Sequence, residues 1–324
     1  MNKLKNTKKV NNRLIRIGIL LIVSLQLSEV SAMPLGLDKS LVSKDYEEIE
    51  IWKEMEENLQ VFSWEHKPME VYLEAARICN QLNINEFYQY IPNADFLETP
   101  SSIATFVAGL RENTKNRVEV AFLTGEAYWY SRPDIIMKRI DYLTTYNGRE
   151  GKNAPIKKII LDIEPWTLGE HTEWYQTYME ALKTVYTYAK ERDIQVGNVI
   201  PFWLDTHAEI PNATYLLETI FDCSDEIIIM NYNRYVFESA MDTEIAIAKR
   251  KQKKIISAAE CQPVNSDYDV TEHITYARVG LEALEKDWEK LNEKYQYEGL
   301  GFAFHHYEAI KKLLETSKQE DLPR

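Results

Sequence analysis

Short apolar or aromatic runs alternate with longer stretches of helical period eight times along this chain, and this alternation constrains the fold more than any other feature. The predicted strands cover residues 60–66, 86–91, 118–126, 157–166, 196–205, 226–233, 254–262 and 299–308. The predicted helices cover residues 69–83, 99–114, 133–147, 170–193, 213–222, 238–252, 271–296 and 308–318. Strands that alternate with helices imply right-handed crossovers and a parallel sheet. Eight units in about 260 residues match the size of a closed (β/α)8 TIM barrel.

The competing α/β fold is a doubly wound open sheet, which usually has a glycine-rich phosphate turn after its first strand. The first predicted strand of this chain runs instead into SWEHKPMEVY at residues 63–72, which contains no glycine. We therefore predict a single-domain barrel over residues 59–324, preceded by an N-terminal helical extension at residues 33–58.

The first 32 residues have the pattern of a secretory signal peptide. A start with six Lys and Arg residues precedes the apolar core IGILLIVSLQL at 17–27 and a small-residue cleavage site at Val30-Ser31-Ala32. This core is shorter than the roughly 20 apolar residues that a membrane-spanning helix needs. We predict cleavage after about Ala32 and a secreted or extracytoplasmic protein, with no membrane association beyond export; an uncleaved anchor is the alternative.

The charge of the chain narrows the class of partner. The whole chain carries a net charge of −13, and residues 1–32 carry six basic side chains against one acidic one, so the remainder is at −18. A charge of this sign repels nucleic acid and anionic lipid, and we expect neither as a partner. Cys79, Cys223 and Cys261 lack metal-type spacing and allow at most one disulfide. We expect a monomer without a metal or cofactor.

Two acids close the fourth predicted strand, KKIILDIEPW at residues 157–166. In a (β/α)8 barrel the active site forms at the C-terminal ends of the strands. Strand alternation places Asp162 and Glu164 on one face and the bulky Ile159, Leu161 and Ile163 on the other, so the two acids point into the barrel mouth. Two close carboxyl groups in a partly dry site cannot both ionise at their free pKa values, and one keeps a proton. Glycosidic bond cleavage requires such a general acid.

Two short motifs at strand ends resemble those of a known enzyme family. Asp162-Ile163-Glu164 and Met230-Asn231-Tyr232-Asn233 resemble the DxE and MxYD motifs of glycoside hydrolase family 18, the chitinase-like TIM barrels. The resemblance implies that Glu164 is the acid/base, that Asp162 orients the substrate's acetamido group, and that Tyr232 hydrogen-bonds to it. The chain looks like a divergent member, because Lys157 and Ile160 stand where the family has two further aspartates.

Glu260, at the end of the seventh predicted strand, allows a second glycosidase mechanism. Glu164 and Glu260 resemble the paired glutamates on strands four and seven of a large clan of retaining glycosidases. A separation of about 5–5.5 Å between the two carboxyl groups would suit a retaining reaction, and about 6.5–9.5 Å an inverting one. Glu260 alone is equally compatible with a hydrogen-bonded structural role. Substrate-assisted, retaining and inverting chemistry therefore all remain open, and all of them assign the proton to Glu164.

Other polar and aromatic residues near strand ends are candidates for substrate binding. Aromatic faces can stack on pyranose rings, although core packing explains any one of them nearly as well. Since Phe302 and Phe304 share a face with His306, we expect only His305 to point inward, where it would donate a hydrogen bond to a sugar hydroxyl; a metal site with His306 has less support. The predicted substrate-binding residues are Glu65, Trp166, Trp203, Asn231, Asn233 and His305.

These features favour an exported glycoside hydrolase that acts on a polysaccharide or a cell-wall-type glycan, with carbohydrate as its partner. The alternative is a barrel that binds glycans without cleaving them, and the missing upstream aspartates and Asn233 favour it. Asp162 and Glu164 could also form a structural pair bridged to a lysine or arginine. Hydrolysis of amides or esters has little support, because no serine lies in a glycine-flanked elbow.

Overall fold

A computed structural model describes residues 58–98, 101–168, 174–206, 210, 212–266 and 269–320 of the chain. The predicted signal peptide at residues 1–32 lies outside the described residues. The same holds for the predicted helical extension, apart from its last residue, Asn58. The boundary between extension and barrel therefore stays a prediction.

Eight parallel strands close into a barrel in sequence order. The strands are β1 Leu59–Ser63, β2 Glu86–Tyr90, β3 Glu119–Thr124, β4 Lys158–Leu161, β5 Gln195–Pro201, β6 Glu226–Met230, β7 Lys254–Glu260 and β8 Leu300–His305. The ring is closed by pairing of β1 with both β2 and β8. The prediction of a (β/α)8 barrel from the eightfold alternation is confirmed.

Helices connect the strands on the outside of the barrel. They are α1 Lys67–Glu70, α2 Tyr72–Gln81, α3 Ser102–Asn113, α4 Pro133–Glu150, α5 Trp174–Lys190, α6 Ala213–Asp222, α7 Asp242–Lys251, α8 Gly280–Tyr295 and α9 Tyr307–Glu320. Their apolar faces and the outward side chains of the strands form one core layer. This layer fixes the strands, and with them the ends that carry the polar residues of the mouth.

The barrel interior forms a second, separate core. It consists of Phe62, Tyr88, Ala121, Leu123, Ile160, Val199, Ile228, Ile256, Ala258 and Ala303, all nearly or fully buried. These residues come from all eight strands, at alternate positions, as the two-residue period of a strand requires. The interior is therefore packed, and ligands can reach it only from the two ends.

A charged network closes the N-terminal end of the barrel. Lys158 Nζ lies 2.8 Å from the Glu86 carboxyl group and 3.0 Å from Glu226 Oε2. Lys254 Nζ lies 3.1 Å from the same Glu226 oxygen, and the Tyr88 hydroxyl donates to Glu226 Oε1 at 2.6 Å. A pocket of about 490 Å³ opens beside this network, lined among others by Gln60 and the two lysines. This pocket lies at the opposite end from the acids of the mouth.

Helix α8 begins later than the sequence predicts. Residues 271–296 are predicted as helical, whereas α8 begins at Gly280. The preceding segment is held by other contacts: the Thr275 hydroxyl donates to the Gln262 carbonyl oxygen, and the Arg234 guanidinium donates to the carbonyl oxygens of Glu272 and Thr275. These side-chain bonds to the loop replace the bonds that a helix would form there.

The three cysteines are buried and form no disulfide with one another. Among the described residues, no helix is long and apolar enough to cross a membrane. The same part of the chain contains no group of three or more His, Cys, Asp or Glu side chains arranged to hold a metal ion.

Candidate active site

Asp162 and Glu164 follow directly after β4, at the C-terminal end of the barrel. Ile160 belongs to the interior core, whereas Ile163 packs in the outer layer. Asp162 continues the β3–β4 ladder, since its N–H donates to the Thr124 carbonyl oxygen at 3.0 Å. Strand alternation from Ile160 therefore directs Asp162 inward, as predicted.

The Asp162 carboxyl group is held in an environment that disfavours its charged form. Its Oδ1 atom is buried and has no hydrogen-bond partner among the described residues. Burial, and secondarily the charge of Glu164, raise the pKa of Asp162 to about 8, although His305 acts in the opposite direction. At neutral pH this carboxyl group therefore holds a proton most of the time.

Glu164 is half-buried and is contacted by an indole. Burial raises its pKa, while a hydrogen bond from Trp166 and the charge of His305 partly oppose the rise. The Trp166 Nε1–H donates to Glu164 Oε2 at 3.2 Å. Within the described part of the chain, neither Glu164 nor Asp162 forms an ion pair with a lysine or arginine, so the structural ion-pair alternative has no support there.

Glu260 and His305 form a buried ion pair across the ends of β7 and β8. His305 Nδ1 lies 2.9 Å from Glu260 Oε2. The other oxygen of Glu260 accepts a hydrogen bond from the Gln262 N–H at 2.7 Å. Burial alone would raise the pKa of Glu260, but His305 and Gln262 lower it overall. Burial disfavours the charged form of His305, but the charges of Glu260, Asp162 and Glu164 outweigh this effect. The pKa of His305 is therefore raised, and its imidazolium form is favoured.

Tyr232 completes the group of polar side chains at the mouth. Its ring packs on the interior core and lies 5.6 Å from the His305 ring, centroid to centroid. Burial raises the pKa of the Tyr232 hydroxyl, and the charges of Glu260, Asp162 and Glu164 raise it further. The hydroxyl thus stays protonated and can donate a hydrogen bond. The structure brings together Asp162, Glu164, Tyr232, Glu260 and His305, which we call the acid cluster.

Two of the predicted aromatic residues lie beside the acid cluster. Trp166 follows Glu164 in a short 3₁₀ turn at Pro165–Leu168. Its ring lies 5.9 Å from that of Trp203, in an edge-to-face arrangement, and 6.0 Å from that of Trp174. Trp166 and Trp203 are both only partly buried, so part of each ring remains available to a ligand.

The two predicted asparagines have local structural contacts instead. Asn231 is fully buried, and its amide nitrogen donates to the Phe237 carbonyl oxygen and to the Ser257 hydroxyl. Asn233 Oδ1 accepts a hydrogen bond from the Tyr235 N–H at 3.1 Å. Both residues alternate with the inward Tyr232 and therefore point away from the barrel axis. They position the loop that follows β6.

At the end of β1, the predicted residue Glu65 and the unpredicted residue Trp64 lie in different environments. Phe62 belongs to the interior core and Trp64 packs against the same core, whereas Glu65 is exposed. Glu65 is out of phase with the inward residues, because Phe62 and Trp64 occupy the alternate positions. In addition, β1 ends at Ser63 and not at the predicted residue 66. The alternation that begins at Phe62 would have identified Trp64 in place of Glu65.

Tyr178 was also missed by the sequence analysis. It lies on α5, is buried, and its hydroxyl has no hydrogen-bond partner among the described residues. Burial raises its pKa, and Asp162 and Glu164 raise it further, so the phenol lies within electrostatic range of both acids. In the sequence Tyr178 falls on the apolar face of a helix, and no sequence feature distinguishes it there from an ordinary core residue.

No protein-family model and no curated protein matches the sequence. Among solved structures, a plant class V chitinase mutant from Cycas revoluta in complex with (GlcNAc)3 is 9% identical, with a TM-score of 0.51 over 82% of this chain and 99% of that one. A GH18 chitinase from Pseudoalteromonas aurantia is 12% identical, with a TM-score of 0.45 over 80% of this chain and 100% of that one. A D-psicose 3-epimerase from Clostridium cellulolyticum is 10% identical, with a TM-score of 0.49 over 77% of this chain and 85% of that one. At 9% identity, the likeness to the Cycas chitinase shows that this chain has the same (β/α)8 fold.

Proposed function

We propose that this protein is an exported glycoside hydrolase that cleaves glycosidic bonds in a polysaccharide or cell-wall-type glycan. The observation that carries the proposal is the pair of Asp162 and Glu164 at the barrel mouth, where burial raises the pKa of both carboxyl groups. A glycosidase needs one carboxyl group that still holds a proton at neutral pH. Export rests on the signal-peptide pattern at residues 1–32.

Glu164 is the proton donor in this proposal. The Trp166 indole donates to Oε2 of Glu164, so the other oxygen carries the proton toward the glycosidic oxygen. Glu164 gives this proton to the glycosidic oxygen as the C–O bond breaks, and it takes a proton back from the water molecule whose oxygen ends up on the anomeric carbon. Asp162, whose pKa burial also raises, keeps its own proton beside Glu164.

The remaining members of the acid cluster hold the substrate and balance the charge. The His305 imidazolium, fixed by Glu260, provides a positive charge beside the two acids. Glu260 already accepts hydrogen bonds on both oxygens, which supports a positioning role for it over a nucleophilic one. We assign to Tyr232 the hydrogen bond to the substrate that the resemblance to family 18 implies, since its hydroxyl is protonated and lies within electrostatic range of Asp162 and Glu164.

We propose a glycan that contains N-acetylhexosamine as the substrate. The motif resemblance assigns an acetamido group to Asp162 and Tyr232, and the Cycas chitinase was solved with (GlcNAc)3. Trp166 and Trp203 offer partly exposed rings beside Glu164, and apolar sugar faces stack on such rings.

Replacing Glu164 tests the proposal directly. Sugar release from a panel of N-acetylhexosamine polymers is measured for the wild type and for Glu164→Gln, which keeps the shape but removes the acid. We expect kcat to fall by about 10²–10⁴-fold with little change in KM, because general acid catalysis typically contributes that much. Glu119→Gln is the matched control, since Glu119 is an exposed acid at the opposite end of the barrel. Equal release by wild type and Glu164→Gln would refute the assignment.

A glycan-binding barrel without turnover is the second candidate. It is favoured by the hydrogen bond from Trp166 to Glu164, which lowers the pKa of Glu164 and so opposes its acid form, and by Asn233, which is engaged in a turn. Calorimetry that shows tight oligosaccharide binding by the wild type, together with no sugar release, would select this candidate over the hydrolase.

A further inference from the structure

An exposed tyrosine lies close to the acid cluster along the chain, in the loop that connects β6 to α7. Tyr235 is 84% exposed and follows three residues after Tyr232 of the cluster. An exposed aromatic side chain is unremarkable by itself, because apolar atoms make up much of any protein surface. The surroundings of this tyrosine, however, order its ring in one position.

The ring of Tyr235 lies parallel to the ring of His273 in an offset stack. The two centroids are 5.5 Å apart and the planes differ by 6°. His273 belongs to the connection between β7 and α8, so the stack joins two loops that are separate in sequence. The Thr271 hydroxyl lies 2.9 Å from His273 Nδ1 and fixes the imidazole in turn. One face of the tyrosine is therefore supported, while most of its surface is open.

Backbone and side-chain hydrogen bonds hold the two loops together below the stack. Asn233 Oδ1 accepts from the Tyr235 N–H at 3.1 Å, and the Arg234 N–H donates to the His273 carbonyl oxygen at 3.0 Å. The Arg234 guanidinium also donates to the Glu272 carbonyl oxygen at 3.2 Å and lies over the Tyr276 ring. A ring held in this way loses little conformational entropy when a ligand binds.

We propose that Tyr235 and His273 form a sugar-binding platform that contacts the glycan chain beyond the residues bound at the acid cluster. This inference rests on the proposed function and specifies its substrate as an extended chain. Both loops leave the barrel at the C-terminal ends of β6 and β7, the strands that lead to Tyr232 and Glu260. The platform thus lies at the same end of the barrel as the cluster.

The chemistry of the platform suits a pyranose ring better than a protein partner. The open tyrosine ring offers an apolar surface to the C–H groups of a sugar, and two polar residues, Asn233 and Arg234, precede it in the sequence. A stable protein interface generally needs a much larger buried area with an apolar centre. Only Val236, which is 40% exposed, adds apolar surface directly next to Tyr235 in the sequence.

The test compares a short and a long ligand in the Glu164→Gln background, where the ligand is not consumed. Calorimetry measures the binding of N-acetylglucosamine disaccharide and hexasaccharide with and without Tyr235→Ala. We expect Tyr235→Ala to weaken hexasaccharide binding by about three- to tenfold, as the loss of one aromatic contact predicts, and to leave disaccharide binding unchanged. Tyr235→Phe should bind both as the parent does, because stacking does not need the hydroxyl.

The outcomes separate this inference from the proposed function. Hexasaccharide binding that Tyr235→Ala does not weaken, or that falls equally for the disaccharide, overturns the platform but leaves the proposed function in place. If the Glu164→Gln protein binds neither ligand, both proposals fail for N-acetylglucosamine glycans. His273→Ala provides a second variant, and it should weaken hexasaccharide binding in the same direction, because it removes the support beneath Tyr235.

Discussion

Burial of the Asp162 carboxyl group costs stability, but the same group belongs to the proposed catalytic site. Its Oδ1 atom is buried without a hydrogen-bond partner among the described residues, and Glu164 lies within electrostatic range. A buried carboxylate without a partner is costly, and the group avoids much of this cost by keeping its proton. In the proposed reaction Asp162 keeps this proton, while Glu164 donates its own. Strongly shifted carboxyl groups in a mouth are typical of catalytic sites for this reason.

We predict that Asp162 makes the stability of the protein fall as the pH rises. Its pKa is raised from 3.8 to about 8, so the folded state binds more protons than the unfolded state between these values. The free energy of unfolding contributed by this group is therefore highest near pH 4 and declines toward pH 8. Asp162→Asn removes this dependence, and its stability relative to the wild type should grow with pH in urea unfolding series. A difference that stays constant from pH 4.5 to 8 would contradict the assigned shift.

At the scale of elements, the ends of β3 and β4 lie unusually close together. A Cβ atom added to Gly125 would lie 1.8 Å from the Asp162 carbonyl oxygen, which is far inside van der Waals contact. Glycine is thus the residue that lets the chain leave β3 past the first acid of the site. The position of Asp162 depends on this close approach as much as on its own strand.

We expect Gly125→Ala to displace Asp162 and to reduce activity more than stability. Relief of the overlap requires a backbone shift at the end of β4, and such overpacking typically costs about 1–3 kcal/mol. Thermal unfolding and glycan hydrolysis are measured side by side. Gly148→Ala on α4 is the matched control, because its added Cβ would meet no atom within 4 Å and should raise helix stability. Activity of Gly125→Ala equal to that of the wild type would show that the site tolerates the shift.

At the scale of the whole molecule, the barrel has polar groups at both ends and an apolar interior between them. The floor contains Glu86, Lys158, Glu226 and Lys254 in mutual contact, so its opposite charges are matched. The mouth contains three acids and one basic group, the imidazole of His305, so its opposite charges are not fully matched. This difference separates the two ends by role: the floor contributes structure, and the mouth keeps carboxyl groups that can exchange a proton.

We predict that the floor network stabilises the fold in a pH-dependent manner. Burial opposes ionisation of Glu226, but the two lysines and the bond from Tyr88 lower its pKa to about 2. Its stabilisation is thus present above about pH 4.5 and is lost as the pH falls toward 2. Lys158→Met should destabilise the protein by about 3–5 kcal/mol at pH 7, since it leaves buried carboxylates with one lysine, and by less at low pH.

Lys157→Met is the control for the floor, measured by the same urea unfolding at pH 7 and pH 3. Lys157 lines the floor pocket but is exposed and forms no ion pair with the described residues. We expect its replacement to change the free energy of unfolding by less than about 0.5 kcal/mol at both pH values. Equal effects of the two substitutions would refute a special role for the Lys158 network.

Local patterns were sufficient to predict the barrel and the inward direction of Asp162. The eightfold alternation predicts β1 to β8, and the two-residue period predicts that Asp162 and Glu164 share the face of Ile160. Both follow from backbone geometry, which repeats over a few residues wherever the chain is extended. Glu65 was predicted from its place at the end of the first strand and not from this alternation, which starts at Phe62 and directs Trp64 inward.

Tertiary structure alone decided which side chains meet. Glu260 and His305 are 45 positions apart in sequence and become a 2.9 Å ion pair only when β7 pairs with β8. Trp166 contacts Glu164 because a 3₁₀ turn follows β4, and Tyr178 comes within electrostatic range of the acids from a helix. The sequence thus determined the barrel and the face on which the acids lie, because these depend on short-range periodicity. The pairing and the proton affinities of those acids depend on burial and on distances across the closed barrel, which no local pattern encodes.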